Sequence, residues 1–141
     1  MFDAVKQFME ASGQTTDQIN LDQAELYADL INEEADELDE ATTDLIAALK
    51  TGNLPAIQGC LEHLLKEVND LIWVAAGFGY CFGLPLKEGM DQVASTNLAK
   101  IIDGEVRRHP ETGKVLKPEG WQPPDYSSLI EQMMPRLVQI H

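Results

Sequence analysis

Basic residues are scarce in this chain of 141 residues: ten Lys and Arg stand against 24 Asp and Glu, for a net charge of −14. Such an acidic protein repels nucleic-acid backbone and anionic lipid, so neither a nucleic-acid polymer nor a membrane is an expected partner. Any phosphate it handles calls for a metal ion or a local basic patch. Cysteine is sparse too. Cys60 and Cys81 lie in apolar surroundings without CxxC spacing, which reads as two reduced core residues. No apolar run reaches the ~18 residues of a membrane helix. Met1-Phe2-Asp3-Ala4 lacks a basic region followed by an apolar stretch, so no signal peptide and a cytoplasmic location are expected. There is no EF-hand loop, P-loop or GxSxG. The Glu-x-x-His of di-iron bundles is missing, since Cys60 stands three residues before His63, and His63, His109 and His141 form no ligand set.

What is present suits a folded protein. An apolar fraction of 44% is ordinary, and the length fits one domain over residues 1–141. Phe2, Val5, Phe8 and Met9 recur at helical spacing over 2–12, before Gly13. A long helix is expected from about 22 to 50, ended by Thr51-Gly52-Asn53, and a second from Pro55 to about 76. Gly77 to Pro85 breaks regularity; a helix over about 86–102 follows. Residues 103–125, with four prolines and three glycines, read as a loop with a hairpin around Thr112-Gly113. A last helix over about 126–139 contains Pro135. No strand pattern stands out, so the expectation is all-α: a bundle of four to five helices with an irregular basic C-terminal loop. Residues 22–50 carry ten carboxylates and one lysine, whereas Lys100, Arg107, Arg108, Lys114 and Lys117 cluster near the other end.

Two acidic half-sites share one spacing: Glu34-x-x-Glu37, preceded by Glu33, and Glu67-x-x-Asp70. At about 100° per residue, positions i and i+3 lie roughly 60° apart on a helix, so each pair aims two carboxylates at one point. Glu34 falls at the centre of the stripe Tyr27, Leu30, Ile31, Leu38, Ala41, Leu45 and Leu49. An ionised carboxylate there is costly unless it is paired or ligates a metal. The alternatives are a buried neutral acid or a lysine partner. On the second helix the stripe is Leu61, Leu64, Leu65, Val68, Leu71, Ile72 and Ala75. Glu67 and Asp70 lie off that stripe and alone would read as surface; their value is the repeated spacing. Two such helices packed about 8–10 Å apart in a hairpin can enclose one or two cations. Mg²⁺ is the natural one, with Mn²⁺ as a substitute.

The acidic motif resembles the signature of the all-α nucleoside triphosphate pyrophosphohydrolases. That superfamily includes MazG, dimeric dUTPases, dCTP pyrophosphatases and phosphoribosyl-ATP pyrophosphohydrolase. Asn97-Leu98-Ala99-Lys100, Gly113-Lys114-Val115-Leu116-Lys117 and Trp121-Gln122-Pro123-Pro124-Asp125 extend the likeness to small MazG-like proteins over essentially the whole chain. The resemblance implies Mg²⁺-dependent hydrolysis between the α- and β-phosphates of a nucleotide, giving a monophosphate and pyrophosphate. It implies Glu34, Glu37, Glu67 and Asp70 as metal ligands. Glu33 would orient or deprotonate the attacking water, or complete a second metal site. Lys100, Lys114 and Lys117, with Asn97 nearby, would hold the triphosphate. Trp121 reads either as a base-stacking group or as packing for the arm. Dimers or tetramers are also implied, and the apolar run Leu71 to Leu86 exceeds what one small helical domain buries.

The expected function is a deoxynucleotide house-cleaning hydrolase, with a dUTPase or a phosphoribosyl-ATP pyrophosphohydrolase as narrower alternatives. A different class stays open: a non-catalytic acidic protein that binds metal or nucleotide and oligomerises through the same helices.

Overall fold

A computed structural model describes residues 1–137. The end of the expected last helix, residues 138–139, and His141 lie outside them. The described residues form five helices and one two-stranded sheet: α1 (Phe2–Ala11), α2 (Leu21–Thr51), α3 (Leu54–Tyr80), α4 (Leu86–Leu98), β1 (Ile101–Ile102), β2 (Glu105–Val106) and α5 (Ser127–Leu137). The class is all-α. The chain divides into two compact units, Met1–Leu84 and the remainder from Pro85. No described helix is long and apolar enough to cross a membrane.

The first unit is built on the pair α2 and α3. Asn20 caps α2 by accepting from the Gln23 backbone N–H at 3.1 Å, and Gly52 stops it in the left-handed conformation at φ 68°. Asn53 caps α3 one residue later, accepting from Ala56 N–H at 3.2 Å, with Pro55 in the first turn. A turn this short forces the two helices into an antiparallel hairpin. Their facing side chains follow a 3–4 spacing: Ala24, Tyr27, Ile31, Glu34, Leu38, Ala41, Leu45 and Ala48 on α2, and Cys60, Leu64, Glu67, Leu71, Val74 and Phe78 on α3. This is the seam of a two-helix coiled coil, with Glu34 and Glu67 at core positions.

The phase of α3 departs from the expected stripe. Leu61, Leu65, Val68, Ile72 and Ala75 are exposed, Leu65 by 65%. Leu49 of the α2 stripe is exposed as well. α3 also runs through Gly77 and Gly79 to Tyr80, where a break was expected. One contact bears on the phase of α3. A Cβ on Gly77 would overlap the Tyr27 ring, so the bare backbone there lets the helices approach closely and favours turning this face of α3 inward.

α1 packs on α3 through Val5 and Met9, both wholly buried, and through Phe8, whose ring meets Trp73 edge-on at 5.8 Å. The segment joining α1 to α2 is tied down by polar side chains. Gln23 accepts from Thr15 N–H and donates to Thr15 C=O and to the buried Cys81 sulfur, while Tyr27 donates to Gln14 Oε1 at 3.0 Å. Cys81 is a buried thiol; Cys60 is half-buried and also unbridged.

In the second unit α4 ends at Leu98, earlier than expected, because Ile101 and Ile102 pair with Val106 and Glu105. Asp103 and Gly104 between them have φ 52° and 82°, the left-handed pair of a tight hairpin turn. The strand pair corrects the all-helix reading of this stretch. The hairpin around Thr112-Gly113 is present: Arg108 bridges Val115, and His109 N–H donates to Lys114 C=O at 2.8 Å. α5 carries Pro135 inside it and buries Met133.

Candidate metal centre

Antiparallel pairing in the seam brings the two half-sites face to face. Single oxygens of Glu34, Glu67 and Asp70 lie within 4.8 Å of one another, close enough to share one cation. Glu37 joins the same cluster: a carboxyl–carboxyl hydrogen bond to Glu67 raises its pKa, and the negative charge of Glu67 adds to the effect. Glu33 is exposed on α2 and is not one of the three converging acids.

Burial differs from the expected order. Glu67, which its stripe placed at the surface, is the deepest acid at 1% exposure, and Glu34 is half-buried. The phase of α3 is the cause, since rotating the apolar row outward turns Glu67 into the seam. Glu34 nevertheless carries the least satisfied atom. Its Oε2 is shut off from solvent and has no hydrogen-bond partner among the described residues. Loss of water raises the Glu34 pKa, and the charge on Asp70 raises it further.

Two residues that sequence reasoning passed over complete the arrangement. Lys66 places Nζ 2.9 Å from Glu67 Oε1, 2.9 Å from Asp70 Oδ2 and 3.8 Å from Glu37 Oε2. His63 places Nε2 2.9 Å from the same Glu67 Oε1. The i, i+4 spacings His63/Glu67 and Lys66/Asp70 were the available signal. Held mainly by the Lys66 ammonium, Glu67 keeps its carboxyl below the ordinary range, whereas the carboxyl of Glu37 beside it is raised. Surrounded by carboxylates, Lys66 is itself held more firmly protonated than a free lysine.

Carboxylate oxygens alone are hard ligands, and a buried oxygen without a donor is what a bound cation would satisfy. The donor set therefore fits a divalent cation, which Glu34, Glu67 and Asp70 would hold, with Glu37 beside them.

The second unit gathers most of the other candidates on one indole. Lys100 Nζ lies 5.0 Å and Lys117 Nζ 4.7 Å from the Trp121 ring centre. Trp121 Nε1–H donates to Thr96 C=O at 2.7 Å, and Lys100 donates to Asn97 Oδ1 at 2.7 Å. Trp121 thus packs its loop against the end of α4 and offers its faces to two ammonium groups. Lys114 is exposed in the neighbouring hairpin and is not part of this stack.

No curated protein matches the chain. The family model described as phosphoribosyl-ATP pyrophosphohydrolase matches residues 4–97, a span holding both acidic half-sites and ending at Asn97. Lys100, Lys114, Lys117 and Trp121 lie beyond it. With its helical hairpin and facing carboxylates, the chain belongs to the phosphoribosyl-ATP pyrophosphohydrolase family of the MazG-like all-α superfamily, and its activity is of the pyrophosphohydrolase class.

Proposed function

We propose that the protein hydrolyses a nucleoside triphosphate or related nucleotide between the α- and β-phosphates with Mg²⁺, releasing pyrophosphate, and serves nucleotide-pool house-cleaning. The observation that carries this reading is the meeting of Glu34, Glu67 and Asp70, with one Glu34 oxygen buried and unsatisfied. A bound Mg²⁺ would neutralise phosphate oxygens and acidify coordinated water. The protein's own contribution is positional. Glu34, Glu67 and Asp70 would hold the ion between α2 and α3, and His63 and Glu37 hold Glu67 in its orientation. Glu33, exposed on α2 beside the seam, would accept a proton from the attacking water. Lys100, Lys114 and Lys117 supply the positive charge that an anionic substrate needs on so acidic a protein, and Asn97 steadies Lys100.

Phosphoribosyl-ATP is the second substrate reading, favoured by the family that matches. Self-association as a dimer or tetramer belongs to the same proposal, supported by the exposed row Leu61, Leu65, Val68 and Ile72 on α3. The test is pyrophosphate release from a panel of (d)NTPs, dUDP and phosphoribosyl-ATP, with and without Mg²⁺. Metal-dependent release from one or more is the expected result. No release from any, with protein folded and Mg²⁺ bound, leaves the non-catalytic binding role as the better reading.

A further inference from the structure

We propose that Lys66 is a tethered cation occupying the carboxylate cluster of the metal-free protein, and that a divalent ion is taken up in exchange for it. The inference rests on the metal-dependent reading above and concerns how the same site is filled.

Lys66 stands on α3 between the two acids of its own half-site. Besides its 2.9 Å contacts to Glu67 Oε1 and Asp70 Oδ2, its Nζ lies 3.1 Å from Glu67 Oε2. Those contacts account for the donors of one ammonium. Glu34 Oε2 is left with none. A single positive charge therefore holds the cluster only in part, satisfying the α3 acids and not the α2 acid opposite. A divalent ion carries twice the charge and accepts six or more oxygens, so it can engage both helices at once. The lysine and the ion compete for the same oxygens of Glu67 and Asp70.

The geometry also gives Lys66 somewhere to go. Its side chain is 58% exposed, while Glu67 beneath it is buried to 1%. The stem can swing into solvent without disturbing the seam. Removing the ammonium withdraws the competitor and leaves the oxygens in place.

The test compares Mn²⁺ binding by the full-length wild type, Lys66→Met and Lys50→Met, by calorimetric titration. Lys50 lies in the last turn of α2 and controls for loss of one positive charge. Lys66→Met is expected to bind Mn²⁺ roughly tenfold more tightly, against about twofold or less for Lys50→Met, since a distant exposed charge is screened. Equal or weaker binding by Lys66→Met overturns the exchange. A second measurement uses wild-type protein, so it decides even if the variant does not fold. Nitrogen NMR of the lysine ammonium groups should show Lys66 hydrogen-bonded without metal and released to solvent on adding Mg²⁺. A Lys66 signal that stays hydrogen-bonded at Mg²⁺ saturation overturns the proposal. Failure of the wild type to bind either ion overturns the metal reading, and the exchange falls with it.

Discussion

Tyr27 lays its ring against the bare backbone of Gly77, at a spot where even a methyl group would overlap the ring. The ring cannot retreat cheaply. It is 4% exposed, and its hydroxyl donates to Gln14 Oε1 in the segment that joins α1 to α2.

Gly77→Ala should therefore destabilise the protein by about 1–3 kcal/mol, the usual cost of overpacking a closed contact, although alanine is the better helix former. Urea unfolding with the metal chelated measures it. A neutral or stabilising result would show that the hairpin has slack at this point.

Glu34→Gln should leave the fold intact and lower turnover by more than about a hundredfold, beyond the loss typical of a residue one step removed from a metal. Thermal unfolding in chelator, where one like charge has been removed from the cluster, should be unchanged or slightly higher. Normal hydrolysis by this variant would misplace the metal.

The metal-free protein should become less stable as pH rises from just above the ordinary carboxylate range toward neutrality. Burial, with Asp70 behind it, raises the pKa of Glu34, and the hydrogen bond to Glu67 raises that of Glu37. The folded state then binds more protons than the unfolded one above the ordinary carboxylate range. Its added stability is full below that range and is lost as pH climbs through the raised values. Glu67, lowered chiefly by Lys66, acts oppositely in a more acidic window, losing stability as pH falls. Saturating Mg²⁺ should flatten or reverse the neutral-side trend, because the ion requires ionised ligands. Melting temperatures in chelator and in Mg²⁺ at both ends of that range check the sign.

Replacing Lys114 and Lys117 together by Ala should raise KM about tenfold or more, as expected when charge-assisted contacts to phosphate are lost, with little change in melting temperature. In a Trp73→Phe background, substrate should alter Trp121 fluorescence by drawing the Lys100 and Lys117 ammonium groups off its faces. A silent spectrum and an unchanged KM would make the stack purely architectural.

Much of this was legible from residue order. Gly13, Gly52 and Pro55 mark helix ends through conformations that few other residues accept so readily, and the i, i+3 acids announce converging carboxylates. The phase of α3 was hidden because its most apolar row, Leu61, Leu65, Val68 and Ile72, is not the row that meets α2. Hydrophobicity marks what avoids water; the close approach at Gly77 is a matter of shape. Ile101-Ile102 looked like the end of a helix, yet Asp103-Gly104 is a strong hairpin signal that the neighbouring apolar pair disguised. Lys66 was overlooked because a lysine beside acids usually reads as solvated.

Both half-sites fall on one hairpin, within residues 34–70, and meet only because each sits in the correct phase of a 3–4 seam. The chain between them is thereby a ruler with coarse graduations. Adding one residue inside α2 between Glu37 and the turn would swing Glu34 and Glu37 by about 100° out of the seam. Adding about seven, matched by seven on α3, would restore the phase. The distance between the half-sites is thus free to change over generations only in steps of two helical turns, while the loop at Gly52-Asn53 is the one place where single residues can come and go.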